Sequence, residues 1–227
     1  MLRAVIFDFN GIIVDDEPIH LALFRRVLNE EDISLTEEEY YARYLGLDDR
    51  GAFSTAFRES GRRLTKQKLA ELVDRKALYY REMIRNKMRL FPGVKALVPT
   101  LASELPLAIA SGALRDEIGT ILLSIGLRDY FRVIVSAEDV KSGKPEPEIF
   151  LKALERLNAQ YGGGCHIAAS ECVVVEDSKE GIRGARRAGM KCLAVTNSHP
   201  AEQLTEASAV VKSLEEVTFS FLKSLCE

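Results

Sequence analysis

Short, unbroken runs of apolar residues recur along this chain and predict the strands of a buried sheet. The runs lie at residues 4–7, 107–110, 133–135, 172–175, 192–195 and 209–211. Strands of a parallel sheet are covered on both faces, so their apolar residues follow one another instead of alternating with polar ones. The pattern therefore favours a parallel sheet with helices on both faces.

The segments between these runs have the apolar periodicity of amphipathic helices. One helical face consists of Ile118, Ile121, Leu122 and Ile125. Gly126 follows this face and is placed to end the helix, and Pro147 is placed to open the next one. Because strands and helices alternate from residue 107 onward, we predict an α/β fold with a doubly wound, Rossmann-like parallel sheet.

Residues 16–88 interrupt this alternation. They contain no comparable apolar run, and residues 66–88 form a long, charged stretch without proline that is typical of a helix. A helical block inserted between the first two core strands predicts a second domain. We therefore expect an α/β core of residues 1–15 and 89–227 and an all-helical domain of residues 16–88.

Polar side chains follow three of the predicted strands. Asp8 and Ser111 follow the first two, and Glu176 and Asp177 follow the fourth, while Lys144 lies in a loop between a glycine and a proline. Side chains beyond the carboxyl ends of parallel strands converge on one crevice. A nucleophilic carboxylate, a hydroxyl, an ammonium and an acidic pair in one crevice suit a phosphate and a hard divalent cation.

Each of these residues alone has an ordinary structural explanation. An aspartate at a strand end commonly forms a turn, a serine commonly caps a helix, and a lysine is commonly solvated. Glu176 and Asp177 could favour the N-terminus of the next helix, but two adjacent buried carboxylates also repel each other unless a cation neutralises them. Together the residues favour a site in which Asp8 attacks phosphorus to give an aspartyl-phosphate.

Four segments resemble, in sequence and in order, those of the haloacid dehalogenase-like hydrolase superfamily. They are VIFDFNG at 5–11, LAIASG at 107–112, GKP at 143–145 and CVVVEDS at 172–178. The similarity covers nearly the whole chain, and the subgroup it most resembles is the β-phosphoglucomutase-like phosphatases. The resemblance implies a Mg²⁺-dependent phosphohydrolase that acts on a small phosphorylated metabolite, with a mobile helical cap that closes over the crevice.

The resemblance also implies roles for individual residues. The implied ligands of Mg²⁺ are Asp8, Glu176, Asp177 and the backbone carbonyl of Asn10. The implied phosphate-binding groups are Ser111 and the backbone amides of Gly112 and Ala113, with Lys144 as the neutralising cation. The implied substrate-binding residues are Gly11, Asp16, His20, Gly46, Arg50 and Lys76.

One family position differs, because the second acidic residue of the usual D-x-D signature is Asn10 here. That acid donates a proton to the leaving oxygen and later withdraws one from water, which an amide cannot do. Its loss typically costs about 10²–10⁴-fold, so we expect a weakened phosphatase. Three explanations remain open: an introduced inactivating change, a native residue with Asp16 as the proton carrier, or cleavage of a different bond with help from Lys76.

Two other functions remain open as well. One is a hexose-phosphate mutase, although that subgroup tends to carry a lysine where this chain has Leu45; the other is a phosphometabolite-binding protein that lost turnover at Asn10. A net charge of −3 gives no reason to expect nucleic acid or an anionic membrane as partner. The lack of a long apolar run and of C-x-x-C spacing predicts a cytoplasmic protein with reduced thiols. We also expect a monomer or a weak homodimer.

Overall fold

A computed structural model of the protein describes residues 1–44, 47, 49–160 and 166–227, without the side chains of residues 85–87. Its strands are β1 (Ala4–Phe7), β2 (Val14–Asp15), β3 (Arg89–Leu90), β4 (Leu107–Ala110), β5 (Phe131–Val135), β6 (Cys172–Glu176), β7 (Lys191–Val195) and β8 (Ala209–Val211). Its helices are α1 (Glu17–Asn29), α2 (Glu37–Arg43), α3 (Asp49–Glu59), α4 (Lys66–Lys87), α5 (Val94–Ala102), α6 (Arg115–Ser124), α7 (Glu148–Gln160), α8 (Lys179–Arg187) and α9 (Phe219–Ser224).

A parallel sheet with the strand order β5-β4-β1-β6-β7-β8 confirms the predicted doubly wound fold. β1 lies in the middle, where Val5 is level with Leu107 of β4 and with Val173 of β6. The chain extends the sheet to one side through β4 and β5 and to the other through β6, β7 and β8. The carboxyl end of β1 is therefore a topological switch point, where open α/β sheets form their binding crevice.

Burial of the strands in the core explains why their sequences are continuous apolar runs. Every residue of β1 and β4 is buried, and apolar residues of α7 such as Phe150 and Leu157 pack in the same cluster as Ile6 and Val174. Gly126 has a positive φ of 72° and ends α6 as predicted. α7 begins one residue after Pro147, and β5 begins two residues before its predicted start.

The chain divides into two compact units, one of Met1–Asp15 with Met88–Glu227 and one of Asp16–Lys87. The second unit contains α1 to α4. Its apolar core includes Phe24, Phe53 and Leu72, which come from α1, α3 and α4. No helix among the described residues is long and apolar enough to cross a membrane.

Candidate active site

Asp8 is the first residue beyond β1, and its backbone N–H continues the sheet by donating to the carbonyl of Val175 at 2.9 Å. The residue is 8% exposed. Oδ2 lies 2.9 Å from Nζ of Lys144. Within the described part of the chain, the buried Oδ1 atom has no hydrogen-bond partner. Because a buried acceptor without a donor is costly, this oxygen is suited to accept a cation or a ligand.

Glu176 ends β6 and is fully buried. Its Oε1 accepts a hydrogen bond from Lys144 at 2.5 Å, and its Oε2 accepts from the backbone N–H of Asp177 and from the N–H and Oγ of Ser178, each at 2.9 Å. Gly181 leaves the space for this carboxylate, because a Cβ there would lie 1.8 Å from Oε1. Glu176 therefore anchors Lys144 to the start of α8.

Asp177 lies against the loop that follows β1. A Cβ on Gly11 would lie 2.0 Å from its Oδ2, and Gly11 has a positive φ of 78° that favours glycine. Asp8, Glu176 and Asp177 each offer one oxygen, and these three oxygens lie within 4.8 Å of one another. The structure thus brings the three predicted carboxylates into one cluster, with the backbone of the loop at Asn10 and Gly11 beside it.

The cluster contains three buried carboxylates, and Lys144 is paired with two of them, Asp8 and Glu176. Burial raises the pKa of Asp8 to about 7 with help from Glu176, although Lys144 opposes the shift. Burial and the charges of Glu176 and Asp8 raise the pKa of Asp177 to about 8. Burial also opposes ionisation of Glu176 and Lys144, but their mutual attraction dominates, so the pKa of Glu176 is lowered and that of Lys144 is raised. The cluster is therefore short of positive charge near neutral pH.

Ser111 follows β4 and is buried, with its N–H bonded to the carbonyl of Val135 at 3.0 Å. Its Oγ accepts a hydrogen bond from the backbone N–H of Ala113 at 3.2 Å. The implied phosphate-binding amide of Ala113 is thus bonded within its own loop in this structure. Gly112 is exposed, and a Cβ there would meet no other atom.

Comparison with known proteins identifies the family of this chain. A model of the haloacid dehalogenase-like hydrolase family matches residues 5–195. This chain belongs to that family. A phosphorylated carbohydrates phosphatase of Thermotoga maritima is 30% identical over 99% of this chain and 100% of its own length, and the β-phosphoglucomutase of Bacillus subtilis is 26% identical over 97% and 94%. The predicted family and its β-phosphoglucomutase-like relatives are confirmed.

A solved structure also resembles this haloacid dehalogenase-like hydrolase over its full length. The crystal structure of a putative β-phosphoglucomutase from Thermotoga maritima is 29% identical, with a TM-score of 0.79 over 98% of this chain and 99% of that one. The chain therefore has the haloacid dehalogenase-like fold that the family resemblance implied.

Three predicted substrate-binding residues of this hydrolase meet inside the helical unit. The ammonium of Lys76, only 1% exposed, donates to Nδ1 of His20 at 2.8 Å and to Asp49 at 2.6 Å. Nε2 of His20 lies 3.0 Å from Oδ2 of Asp16, which also accepts from the hydroxyl of Tyr80 at 2.9 Å. Since a charged ammonium only donates, Nδ1 must accept, and the proton of His20 is on Nε2.

The remaining predicted positions are less informative. Arg50 is exposed in the first turn of α3, and Gly46 and Leu45 lie outside the described residues.

Sequence reasoning missed Asp49 and Tyr80, because helical periodicity predicts a buried face but not which polar residues meet across helices. It also missed Asn197 and Ser198, which follow β7 and contact the site; the strand-end rule that found Asp8 applies to them too.

Proposed function

We propose that this protein is a Mg²⁺-dependent phosphohydrolase that cleaves a small phosphate monoester through Asp8. The observation that carries the proposal is the state of the Asp8 carboxylate. One of its oxygens is paired with Lys144, and the other is buried without a partner among the described residues. A carboxylate at a switch point and beside a cation supports a nucleophilic role for Asp8. Relatives named as phosphatases support the same reaction.

The residues present fit a magnesium ion. Carboxylate and carbonyl oxygens are the ligands that Mg²⁺ prefers, and the three clustered carboxylates outnumber the Lys144 ammonium that pairs with two of them. Asp8, Asp177 and the backbone carbonyl of Asn10 would hold the ion. Glu176 is already bonded on both oxygens, so we assign it to orienting Lys144. A bound Mg²⁺ would neutralise charge that develops on the phosphoryl oxygens.

The protein's own residues supply the rest of the reaction. An oxygen of Asp8 forms a bond to phosphorus while the bond from phosphorus to the ester oxygen breaks, and the leaving oxygen takes up a proton from solvent water. Water then attacks phosphorus, releases inorganic phosphate and restores the Asp8 carboxylate. Lys144 neutralises the phosphate beside Asp8, and Ser111 offers its hydroxyl to a phosphate oxygen. Asn10 cannot supply the proton, so we expect a slow enzyme.

Substitution of Asp177 tests the metal site. Asp177→Asn should remove the stabilisation that Mg²⁺ gives to the wild type, because a neutral amide is a poor ligand for a hard cation. A ligand at 100 times its Kd stabilises the folded state by about 2.7 kcal/mol, so the wild type should show a clear rise in Tm. Thermal unfolding with Mg²⁺ and with EDTA measures this. Asp129→Asn, at an exposed aspartate, is the control; an equal rise in Asp177→Asn would contradict the assignment.

The pKa values predict how this stabilisation depends on pH. The folded-state pKa is about 7 for Asp8 and about 8 for Asp177, both above the ordinary value of 3.8. At pH values between the ordinary pKa and the raised pKa values, the metal-free folded chain binds more protons than the unfolded chain. Its free energy of unfolding therefore falls as the pH rises. Mg²⁺ should offset this loss by compensating the ionised carboxylates.

The measurement is the difference between the Tm with Mg²⁺ and the Tm with EDTA, followed from pH about 5 to about 8. This difference cancels the contributions of carboxylates elsewhere in the chain. We expect it to increase with pH in the wild type and to stay near zero in Asp177→Asn. A wild-type difference that does not change with pH would contradict the raised pKa values.

A mutase activity is the second candidate, because one relative is the β-phosphoglucomutase of Bacillus subtilis. An assay with a panel of sugar and nucleotide phosphates, with and without Mg²⁺, separates the candidates. Release of inorganic phosphate supports the phosphohydrolase, and interconversion of phosphate positions without release supports the mutase. Tight binding with neither outcome supports a phosphometabolite-binding protein that lost turnover at Asn10.

A further inference from the structure

The turn after β7 brings two small polar residues to the proposed metal site. β7 is the parallel neighbour of β6, with Leu193 level with Val175, so the carboxyl ends of both strands lie at the same edge. Asn197 and Ser198 follow β7 directly beyond Thr196. Neither residue belongs to the four segments that identify the family, and neither has a role in the reaction proposed above.

Each of the two side chains holds a different part of the site. Nδ2 of Asn197 donates to the backbone carbonyl of Gly11 at 2.6 Å. The hydroxyl of Ser198 donates to Oδ2 of Asp177. Two consecutive residues thus connect the loop after β1 with the carboxylate after β6.

These contacts close a compact arrangement around Asp177. Gly11 packs against the Asp177 carboxylate so tightly that a Cβ would lie 2.0 Å from Oδ2. Asn197 bonds the carbonyl of Gly11. Gly11 is next to Asn10, and the carbonyl of Asn10 is a proposed Mg²⁺ ligand. Since Ser198 bonds Oδ2, the carboxylate of Asp177 cannot rotate without breaking that hydrogen bond. The turn after β7 therefore fixes the loop after β1 and the Asp177 carboxylate relative to each other.

We propose that Asn197 and Ser198 are positioning residues that hold Asp177 and the loop at Gly11 in the geometry that binds Mg²⁺. The inference rests on the proposed metal site and adds residues that organise it. Mg²⁺ demands near-ideal octahedral geometry, so ligands that are fixed beforehand bind it more tightly. Hydrogen-bonded partners of metal ligands typically contribute about 10–100-fold to metal affinity.

Ser198 allows a clean test because it is exposed, so its substitution leaves the apolar core intact. We expect Ser198→Ala to raise the Kd for Mg²⁺ about 10-fold, measured by calorimetric titration of the metal alone. Turnover at saturating Mg²⁺ should stay near the wild-type value, so the effect should fall on metal affinity and not on kcat. Ser198→Thr keeps the hydroxyl and should restore the affinity. Asn197→Ala should also raise the Kd for Mg²⁺.

Ser103→Ala is the matched control, because Ser103 also donates its hydroxyl, to the carbonyl of Thr100 at 2.8 Å, but at the end of α5. It should bind Mg²⁺ like the wild type. The Tm of every variant in EDTA checks that each one is folded. An unchanged Mg²⁺ affinity in both Ser198→Ala and Asn197→Ala would overturn the positioning role and leave the proposed function standing. Absence of Mg²⁺ binding by the wild type would overturn both.

Discussion

Asp8→Asn is expected to lower turnover of a phosphate monoester by about 10⁴-fold or more, since removal of a catalytic nucleophile has effects of this size. The amide has nearly the same shape as the carboxylate but cannot attack phosphorus. It also leaves Lys144 paired with Glu176 at 2.5 Å, so the buried ammonium keeps a partner. We therefore expect loss of activity without loss of the fold.

The measurement is phosphate release under single-turnover and steady-state conditions, with the Tm as a check on folding. It should be made in the wild type and in the Asn10→Asp background, because the rate of the wild type is expected to be low. Asp129→Asn, an exposed aspartate in the same unit, is the control. Trapping of phosphate on a peptide that contains Asp8 would identify the intermediate. Retention of more than about a tenth of the rate in Asp8→Asn would exclude Asp8 as nucleophile.

The strand-end residues of this site could be predicted because one geometric rule places them. Parallel strands end at one edge of the sheet, so the residues after β1, β4 and β6 must meet there whatever the connecting helices do. Asp8, Glu176 and Asp177 follow that rule and form one cluster. Lys144 is in a loop, and its pairing with Asp8 could be expected only from the family resemblance.

Other features could not be predicted, for physical reasons. β2 and β3 are two residues long and pair antiparallel, which is too short for an apolar pattern to indicate. In the helical unit, Lys76 meets Asp49 and His20 across three helices. Periodicity assigns each residue to a helical face, but the pairing depends on how the helices pack. Gly181 could not be interpreted either, because its role is the space it leaves for Glu176.

The contacts of Asp16 bear on the question that Asn10 raises. Oδ2 of Asp16 accepts hydrogen bonds from Tyr80 and from His20, whose Nε2 carries the proton because Nδ1 accepts from Lys76. Oδ2 of Asp16 is therefore held as an acceptor by two donors within the helical unit. Asp16 is buried as well, at 3% exposure. These contacts support a structural role for Asp16 and argue against its action as the replacement acid.

Asn10→Asp is therefore expected to raise turnover by about 10²-fold or more, because it restores a group that can donate a proton to the leaving oxygen and accept one from water. Asp16→Asn is expected to change the rate by less than about tenfold, since the amide oxygen can still accept from Tyr80 and His20. The rates of both single variants and of the double variant, measured at saturating Mg²⁺ and substrate, test this. If Asp16 carries the proton instead, Asp16→Asn should cost at least about tenfold and Asn10→Asp should change little. That pair of results would show that Asp16 has taken over the role of the acid. A gain in turnover from Asn10→Asp that persists in the double variant would instead show that the missing acid belongs at residue 10.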